Sequence, residues 1–121
     1  MSEAGAIRLV NDLNLDELLA AERAVLILTR SDCGHCHQYT AQIEALHAAG
    51  RLDGIVVGKL VLDEPGSTQF KRANHWLARL ASLPYTVLYR RGEQVDAFAA
   101  SRGSYLLERI DEALVGAPRA A

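Results

Sequence analysis

The sequence predicts an α/β domain in which a central mixed β-sheet is flanked by helices. Short runs of β-branched and aliphatic residues alternate along the chain with longer segments of helical periodicity. The last two strand-like runs are separated by a tight charged turn, which indicates an antiparallel hairpin at the end of the sheet. The chain has 121 residues, half of them hydrophobic, and no linker composition. One domain over residues 1–121 therefore accounts for its length.

The first half of the chain supplies two strands and two helices. Residues 5–10 favour a short strand, and residues 11–23 favour a helix with acidic residues at its start. Residues 24–29, AVLILT, are a compact aliphatic run typical of a strand buried on both faces. Gly50 is the predicted C-cap of the next helix. The apolar residues of that helix recur at spacings of three and four: Cys36, Tyr39, Ile43 and Leu46.

The second half continues the alternation and then adds the hairpin. Residues 54–63 form a second buried strand, and Ser67 is the predicted cap of a helix that runs to Leu80. After Pro84, residues 85–90 and 94–100 form the two hairpin strands around the turn RRGE. Ser101 is the expected cap of the last helix, and residues 117–121 are an expected frayed tail. The apolar face of that last helix comprises Leu106, Leu107, Ile110 and Leu114, before Gly116 and Pro118 end it.

The stretch SDCGHCHQYT, residues 31–40, holds both cysteines and allows three chemistries. Cys33 and Cys36 form a CxxC pair typical of a redox dithiol, and His37 extends it to CxxCH, the attachment signature of c-type haem. With His35, the same residues could contribute to a zinc site. Haem is disfavoured because the only methionine is Met1 and the strand-rich pattern is wrong for a small cytochrome. Zinc is a better rival, with His35, His47 or His75 as fourth ligand, although no second CxxC or HxxxH pair is present.

The position of the CxxC pair favours the redox chemistry. It lies between the end of a predicted buried strand and the start of a predicted helix. The first turn of a helix presents N–H groups without intrahelical partners and the positive end of the helix dipole. Both effects lower the pKa of a thiol at Cys33, whereas the carboxylate of Asp32 opposes them. Cys36 is one turn further on and more sheltered. We therefore expect Cys33 to attack, Cys36 to resolve, and His35 to tune the thiolate.

Charge and composition exclude several classes of function. The formal net charge is −2 and neither sign forms a block, so we expect no nucleic-acid partner and no membrane contact. The N-terminal residues lack the pattern of a secretory signal, and the apolar runs are too short to span a bilayer. We expect a cytoplasmic monomer. In that compartment two cysteines are more often catalytic or metal-binding than structural.

Four segments together resemble the thioredoxin-fold family. AVLILTRSDCGHC is similar to the family's strand-CxxC-helix unit, and GKLVLD to its next strand. SLPYTVLYRRGEQV resembles the proline and hairpin that follow, and SRG resembles the start of the last helix. The tetrad CGHC is the form seen in protein disulfide isomerase domains. The resemblance covers nearly the whole chain, and it implies a thioredoxin-like fold with a central mixed sheet flanked by helices.

The resemblance also implies a function and a set of partners. Pro84 would have a cis peptide bond and lie against the CxxC pair, and the Leu83 backbone would pair with an extended substrate. The chain would be a thiol-disulfide oxidoreductase that needs no cofactor. Its partners would be protein or peptide disulfides and a reductase or thiol donor. CGHC favours an oxidising pair and the expected compartment favours a reductase; we give the compartment more weight.

Four departures from the family pattern predict a narrower range of substrates. Asp32 stands where thioredoxins usually have tryptophan, and the glycine that normally flanks the substrate groove is missing near AFAAS. Ile27 stands where they have the buried acid that deprotonates the resolving cysteine, so Lys59 would lack its usual partner. His35 or His37 would then take the proton, or resolution would be slow. Residues 68–82 are also longer than their counterpart. A non-catalytic binding module and a metal-binding redox sensor remain alternative hypotheses.

Overall fold

The computed structural model describes residues 7–80, 82–99 and 102–115. Within these residues the chain forms a five-stranded sheet and four α-helices, in the predicted order. A 3₁₀ segment, His75–Arg79, follows the third helix, and a π-helical turn, Asp111–Val115, follows the fourth. The elements are β1 (Arg8–Leu9), α1 (Leu15–Leu19), β2 (Arg23–Thr29), α2 (Gly34–Ala48), β3 (Val56–Val61), α3 (Thr68–Ala73), β4 (Tyr85–Arg90), β5 (Glu93–Ala99) and α4 (Gly103–Ile110).

The sheet is mixed, with strand order β1-β3-β2-β4-β5. Strands β1, β3 and β2 are parallel, and β4 and β5 add to β2 as an antiparallel hairpin. Strand β2 is central and its side chains alternate between two apolar clusters. Val25 and Ile27 pack with α2 and α4, whereas Leu26 and Leu28 pack with α1 and α3. The predicted α/β class, with a strand buried on both faces and helices flanking a mixed sheet, is confirmed.

Helix α2 carries the CxxC motif and has defined ends. At its C-terminus, Gly50 has a φ of 78°, which glycine adopts without the strain that a Cβ brings. The N–H of Gly50 donates to the His47 carbonyl and the N–H of Arg51 to the Leu46 carbonyl, at 3.0 Å each. These two bonds are those of a Schellman motif, so the predicted end of the helix at Gly50 is confirmed.

The hairpin turn between β4 and β5 also follows from the sequence. Arg91 and Gly92 have φ values of 52° and 82°. Two consecutive positive φ angles are typical of a type I′ turn, whose twist matches that of the flanking strands. The exposed Arg91 forms an ion pair with Glu22 at 3.1 Å, which ties the turn to the start of β2.

Two helix predictions were wrong in length. The helix expected over residues 11–23 covers only Leu15–Leu19, because Asn11 and Asn14 bond each other's backbone and hold the preceding residues in a turn. The helix expected to run from Ser67 to Leu80 stops at Ala73. Asn74 ends it: its side-chain amide donates to the Phe70 carbonyl at 2.8 Å, and its own backbone angles, φ −131° and ψ 73°, are not helical.

The cap of α3 is also different from the prediction. Ser67 occupies the N-cap position without capping the helix through its side chain. The carboxylate of Asp12, far away in sequence, instead accepts from the N–H groups of Gln69 and Phe70 at 2.9 and 3.0 Å. The predicted cap Ser101, the helix end at Gly116 and Pro118, and the tail over residues 117–121 lie outside the described residues.

Candidate active site

The CxxC pair lies at the start of α2, immediately after the carboxyl end of β2. Cys33 is the N-cap residue, with extended backbone angles, and its Sγ accepts a hydrogen bond from the N–H of Cys36 at 3.1 Å. The sulfur of Cys33 therefore occupies the place that a capping oxygen usually takes, where unpaired N–H groups and the helix dipole favour negative charge. This geometry stabilises a thiolate at Cys33 when the pair is reduced.

The two sulfurs differ in their access to solvent. Cys33 and Cys36 are joined by a disulfide, with their Cα atoms 5.2 Å apart. Cys33 is partly exposed, whereas only 1% of Cys36 is exposed. A sulfur atom that approaches from solvent therefore reaches Cys33 first. The histidine between them, His35, is exposed on the first turn of α2.

A carboxylate at the end of β3 fixes the loop before the motif. Asp63 accepts from the backbone N–H of Ser31 at 2.9 Å and from its hydroxyl at 2.6 Å. The hydroxyl and then the backbone N–H of Ser31 hold the pKa of Asp63 below its usual range. These bonds tie the segment leading to Cys33 to the neighbouring strand.

A buried hydrogen bond fixes the other side of the motif. One turn after Cys36, the Tyr39 hydroxyl lies 2.9 Å from the hydroxyl of Thr86 on β4, and both side chains are fully buried. Burial raises the pKa of Tyr39 to about 12. The bond joins the helix that carries the cysteines to the strand that follows Pro84.

Leu83 and Pro84 precede β4, and their connecting peptide bond is cis. Pro84 is buried and Leu83 is half-buried. Leu83 and Cys33 line the same surface depression, which has a volume of about 420 Å³. The structure thus places Leu83 on the same depression as the cysteine that solvent reaches first.

A separate cavity of about 150 Å³ lies beside Cys36. Its polar lining includes His37, Thr40, Lys59 and Glu64, and its size leaves room for water. Lys59 is the register partner of Ile27 on the adjacent strand, so the two side chains project from the same face of the sheet. Among the described residues no carboxylate forms an ion pair with Lys59. His37 lines this cavity, whereas His35 is not among its lining residues.

The described residues contain no group of three or more histidine, cysteine, aspartate or glutamate side chains that could hold a metal ion. The zinc arrangement considered from the sequence, with Cys33, Cys36 and His37 sharing a metal with another histidine, is therefore not assembled in this part of the chain. No described helix is long and apolar enough to cross a membrane.

The sequence did not identify the residues that surround the cysteines from other elements. Arg30, Leu62 and Leu77 line the depression next to Cys33, and Glu64 lines the cavity next to Cys36. Asp63 and Lys59 had a signal, since both belong to the segment GKLVLD. The others occur at loop and helix positions where sequence periodicity carries no information about neighbours in space.

No family profile and no curated protein sequence matches the chain. Solved structures do match it. A mutant thioredoxin from Halobacterium salinarum superposes with a TM-score of 0.72 at 18% identity, covering 93% of this chain and 95% of that one. Thioredoxin f from spinach chloroplast gives 0.72 at 18% identity, with 97% and 89% covered. Thioredoxin from Trypanosoma brucei brucei gives 0.73 at 13% identity, with 92% and 93% covered. The chain therefore has the thioredoxin fold.

Proposed function

We propose that this protein is a thiol-disulfide oxidoreductase that reduces protein disulfides. The observation that carries the proposal is the asymmetry of the CxxC pair. Cys33 is partly exposed and caps α2, while Cys36 is buried one turn deeper, within disulfide distance. An accessible sulfur at a site that stabilises a thiolate can attack a partner, and a sheltered second sulfur can displace that partner.

The reaction has two exchange steps. The Cys33 thiolate attacks one sulfur of a client disulfide, which forms a Cys33–client bond and releases the other client sulfur as a thiolate. The Cys36 thiolate then attacks Cys33 Sγ, forms the Cys33–Cys36 disulfide and releases the second client sulfur. Two electrons pass from the protein to the client, and the released thiolates take up protons. A thiol donor or a reductase returns the Cys33–Cys36 pair to the dithiol.

Cys36 must lose its proton before the second step, and Ile27 cannot accept it. The cavity beside Cys36 supports a route through water to His37, with the Lys59 ammonium favouring the negative sulfur. His35 lies outside that cavity and is exposed on the first turn of α2, two residues after the accessible Cys33. We therefore assign proton acceptance to His37 and tuning of the Cys33 thiolate to His35.

Leu83 and Pro84 complete the proposed site. The depression shared by Leu83 and Cys33 supports an extended client segment whose backbone pairs with Leu83, as an added strand would. We propose that the protein acts in the cytoplasm, because a reductase needs a compartment that keeps its own dithiol reduced. That it acts as a monomer stays a prediction.

The test is the reduction potential of the Cys33–Cys36 pair, measured by equilibration with glutathione or dithiothreitol buffers and thiol trapping. A value near about −270 mV is expected for a reductase, whereas about −180 to −120 mV would mean an isomerase-like or oxidising role. Reversible disulfide formation without turnover of any client would favour a binding module. Stoichiometric metal in the purified protein would favour a redox sensor.

A further inference from the structure

The depression next to Cys33 continues into a second one of similar size. Each has a volume of about 420 Å³, and they share Arg30, Leu62 and Leu77. The second depression extends away from the cysteine along α3 and the 3₁₀ segment, where Lys71, Asn74 and His75 line it. We call this second depression the distal groove. It forms a continuous path with the surface at which a client would be attacked.

The charge of the distal groove has one sign. Within the part of the chain that the structure describes, its ionisable lining residues are Arg30, Lys71 and His75, and none of its lining residues is a carboxylate. Among the described residues Lys71 and His75 form no ion pair, and the one ion pair of Arg30 is with Asp32, at 3.5 Å, between exposed side chains. Such an exposed pair is weak. Since the whole chain has a net charge of −2, this basic lining is a local feature.

The floor of the distal groove is apolar. Leu62 and Leu77 are half-buried, and both pack against the core cluster beneath α1 and α3. An apolar side chain of a bound segment would cover their remaining exposed surface, which is favourable because it removes apolar area from water. Basic side chains around such a floor complement a segment that carries both an apolar and an acidic residue.

We propose that the distal groove selects clients whose disulfide is flanked by an apolar and an acidic residue. The proposal rests on the proposed function, because Cys33 is the point at which the client becomes attached. Once the mixed disulfide forms, the adjoining client residues are held beside the groove at high effective concentration. Contacts too weak to bind a free peptide tightly can then discriminate between clients.

The experiment compares two disulfide peptides that contain leucine and differ only in glutamate or lysine beside it. The full-length reduced protein is mixed with each peptide at about 20 mM salt, where screening is weak, and the rate constant of reduction is measured. We expect the glutamate peptide to be reduced about threefold faster, the range of an exposed charge contact. Lys71→Glu should reverse this preference. Arg51→Glu, an equal charge change in the exposed loop before β3, should leave it unchanged.

A second variant tests the groove without changing its charge. Ala78 is exposed and lines the distal groove, so Ala78→Trp fills the groove while leaving the core intact. It should slow both peptides and leave the reduction of uncharged hydroxyethyl disulfide unchanged. Equal rates for both peptides with the unmodified protein, or an unchanged preference in Lys71→Glu, would overturn the proposal.

Two further readouts separate this proposal from the proposed function. Failure to reduce hydroxyethyl disulfide and both peptides contradicts the reductase function. In that case the groove is tested by the anisotropy of labelled peptides with serine in place of cysteine, at high protein concentration. Tighter binding of the glutamate peptide that is lost in Lys71→Glu supports the proposal. Equal binding of the two peptides overturns it, and so does displacement of the bound peptide by oligonucleotides of any sequence.

Discussion

The two cysteines are three residues apart in sequence but belong to two different surroundings. The Cys33 side is open: it borders a groove, and exposed polar bonds between Ser31 and Asp63 hold its loop. The Cys36 side is closed: only 1% of the residue is exposed, and the buried Tyr39–Thr86 bond anchors its helix. The contrast supports the proposal that Cys33 attacks and Cys36 resolves.

The two surroundings also differ in how much a single polar bond contributes to the stability of the fold. On the open side, solvent competes with each polar bond, so single bonds there contribute little to stability. On the closed side, a lost partner leaves a polar group buried and unpaired, which is costly. Changes on the Cys33 side should therefore alter client choice and reactivity, while changes on the Cys36 side should alter resolution and the free energy of unfolding.

The largest expected effect comes from removing either sulfur. Cys33→Ser should reduce insulin no faster than the thiol donor alone, because no accessible nucleophile remains. Cys36→Ser should keep the first exchange step and accumulate a mixed disulfide with the client, detected by mass spectrometry under nonreducing conditions. Accumulation in Cys33→Ser instead would reverse the assigned roles of the two cysteines.

A smaller kinetic effect should separate the two histidines. His37→Gln should slow the resolution of a preformed mixed disulfide by about tenfold, less than the roughly 10²–10⁴-fold usual for general acid–base catalysis, because cavity water can still accept the proton. The measurement is stopped-flow release of a fluorescent client thiol. His35→Gln is the matched control and should affect the first step. Equal slowing of resolution by both variants would remove His37 from its assigned role.

The buried Tyr39–Thr86 hydrogen bond on the closed side should contribute measurably to the free energy of unfolding. Tyr39→Phe should lower the free energy of unfolding by about 1–2 kcal/mol, because it leaves the Thr86 hydroxyl buried without that partner. The double variant Tyr39→Phe/Thr86→Val should recover most of the loss, as measured by urea unfolding. A double variant as unstable as the sum of the single ones would contradict this account.

The raised pKa of Tyr39 should also make the free energy of unfolding fall at alkaline pH. Burial raises the pKa of Tyr39 and of Tyr89 to about 12 each, whereas an unfolded tyrosine titrates near about 10. Each tyrosine's contribution to stability is therefore complete below pH about 10 and is lost as the pH rises towards about 12. Urea unfolding across this range should show a shallower decline for Tyr39→Phe than for the unmodified protein.

The smallest expected effect lies on the open side. Because the Ser31 bonds lower the pKa of Asp63, its contribution to stability is present above the unfolded pKa and is lost as the pH falls through the lowered value. Asp63→Asn should therefore lower the stability slightly at pH 7, where this contribution is present, and leave the acid limb of the stability curve correspondingly flatter. A loss at neutral pH as large as that of Tyr39→Phe would contradict the proposed division between the two sides.

The sequence predicted correctly those elements that depend on only a few neighbouring residues. The buried strand β2, the end of α2 at Gly50 and the turn at Arg91–Gly92 were predicted because aliphatic runs and glycine conformations act over a few residues. The CxxC pair was predicted at a strand-to-helix junction for the same reason. The cap of α3 was not predictable, because Asp12 reaches it across the fold.

The sequence by itself determined the class of fold and the position of the dithiol, since both depend on spacing along the chain. The tertiary structure decided what surrounds each sulfur. Lys59 and His37 line one cavity beside Cys36, and Lys71 and Arg30 line one groove beyond Cys33, only because strands and helices distant in sequence pack together. Spacing along a chain specifies which residues share an element, whereas access, charge and proton transfer depend on distances between elements.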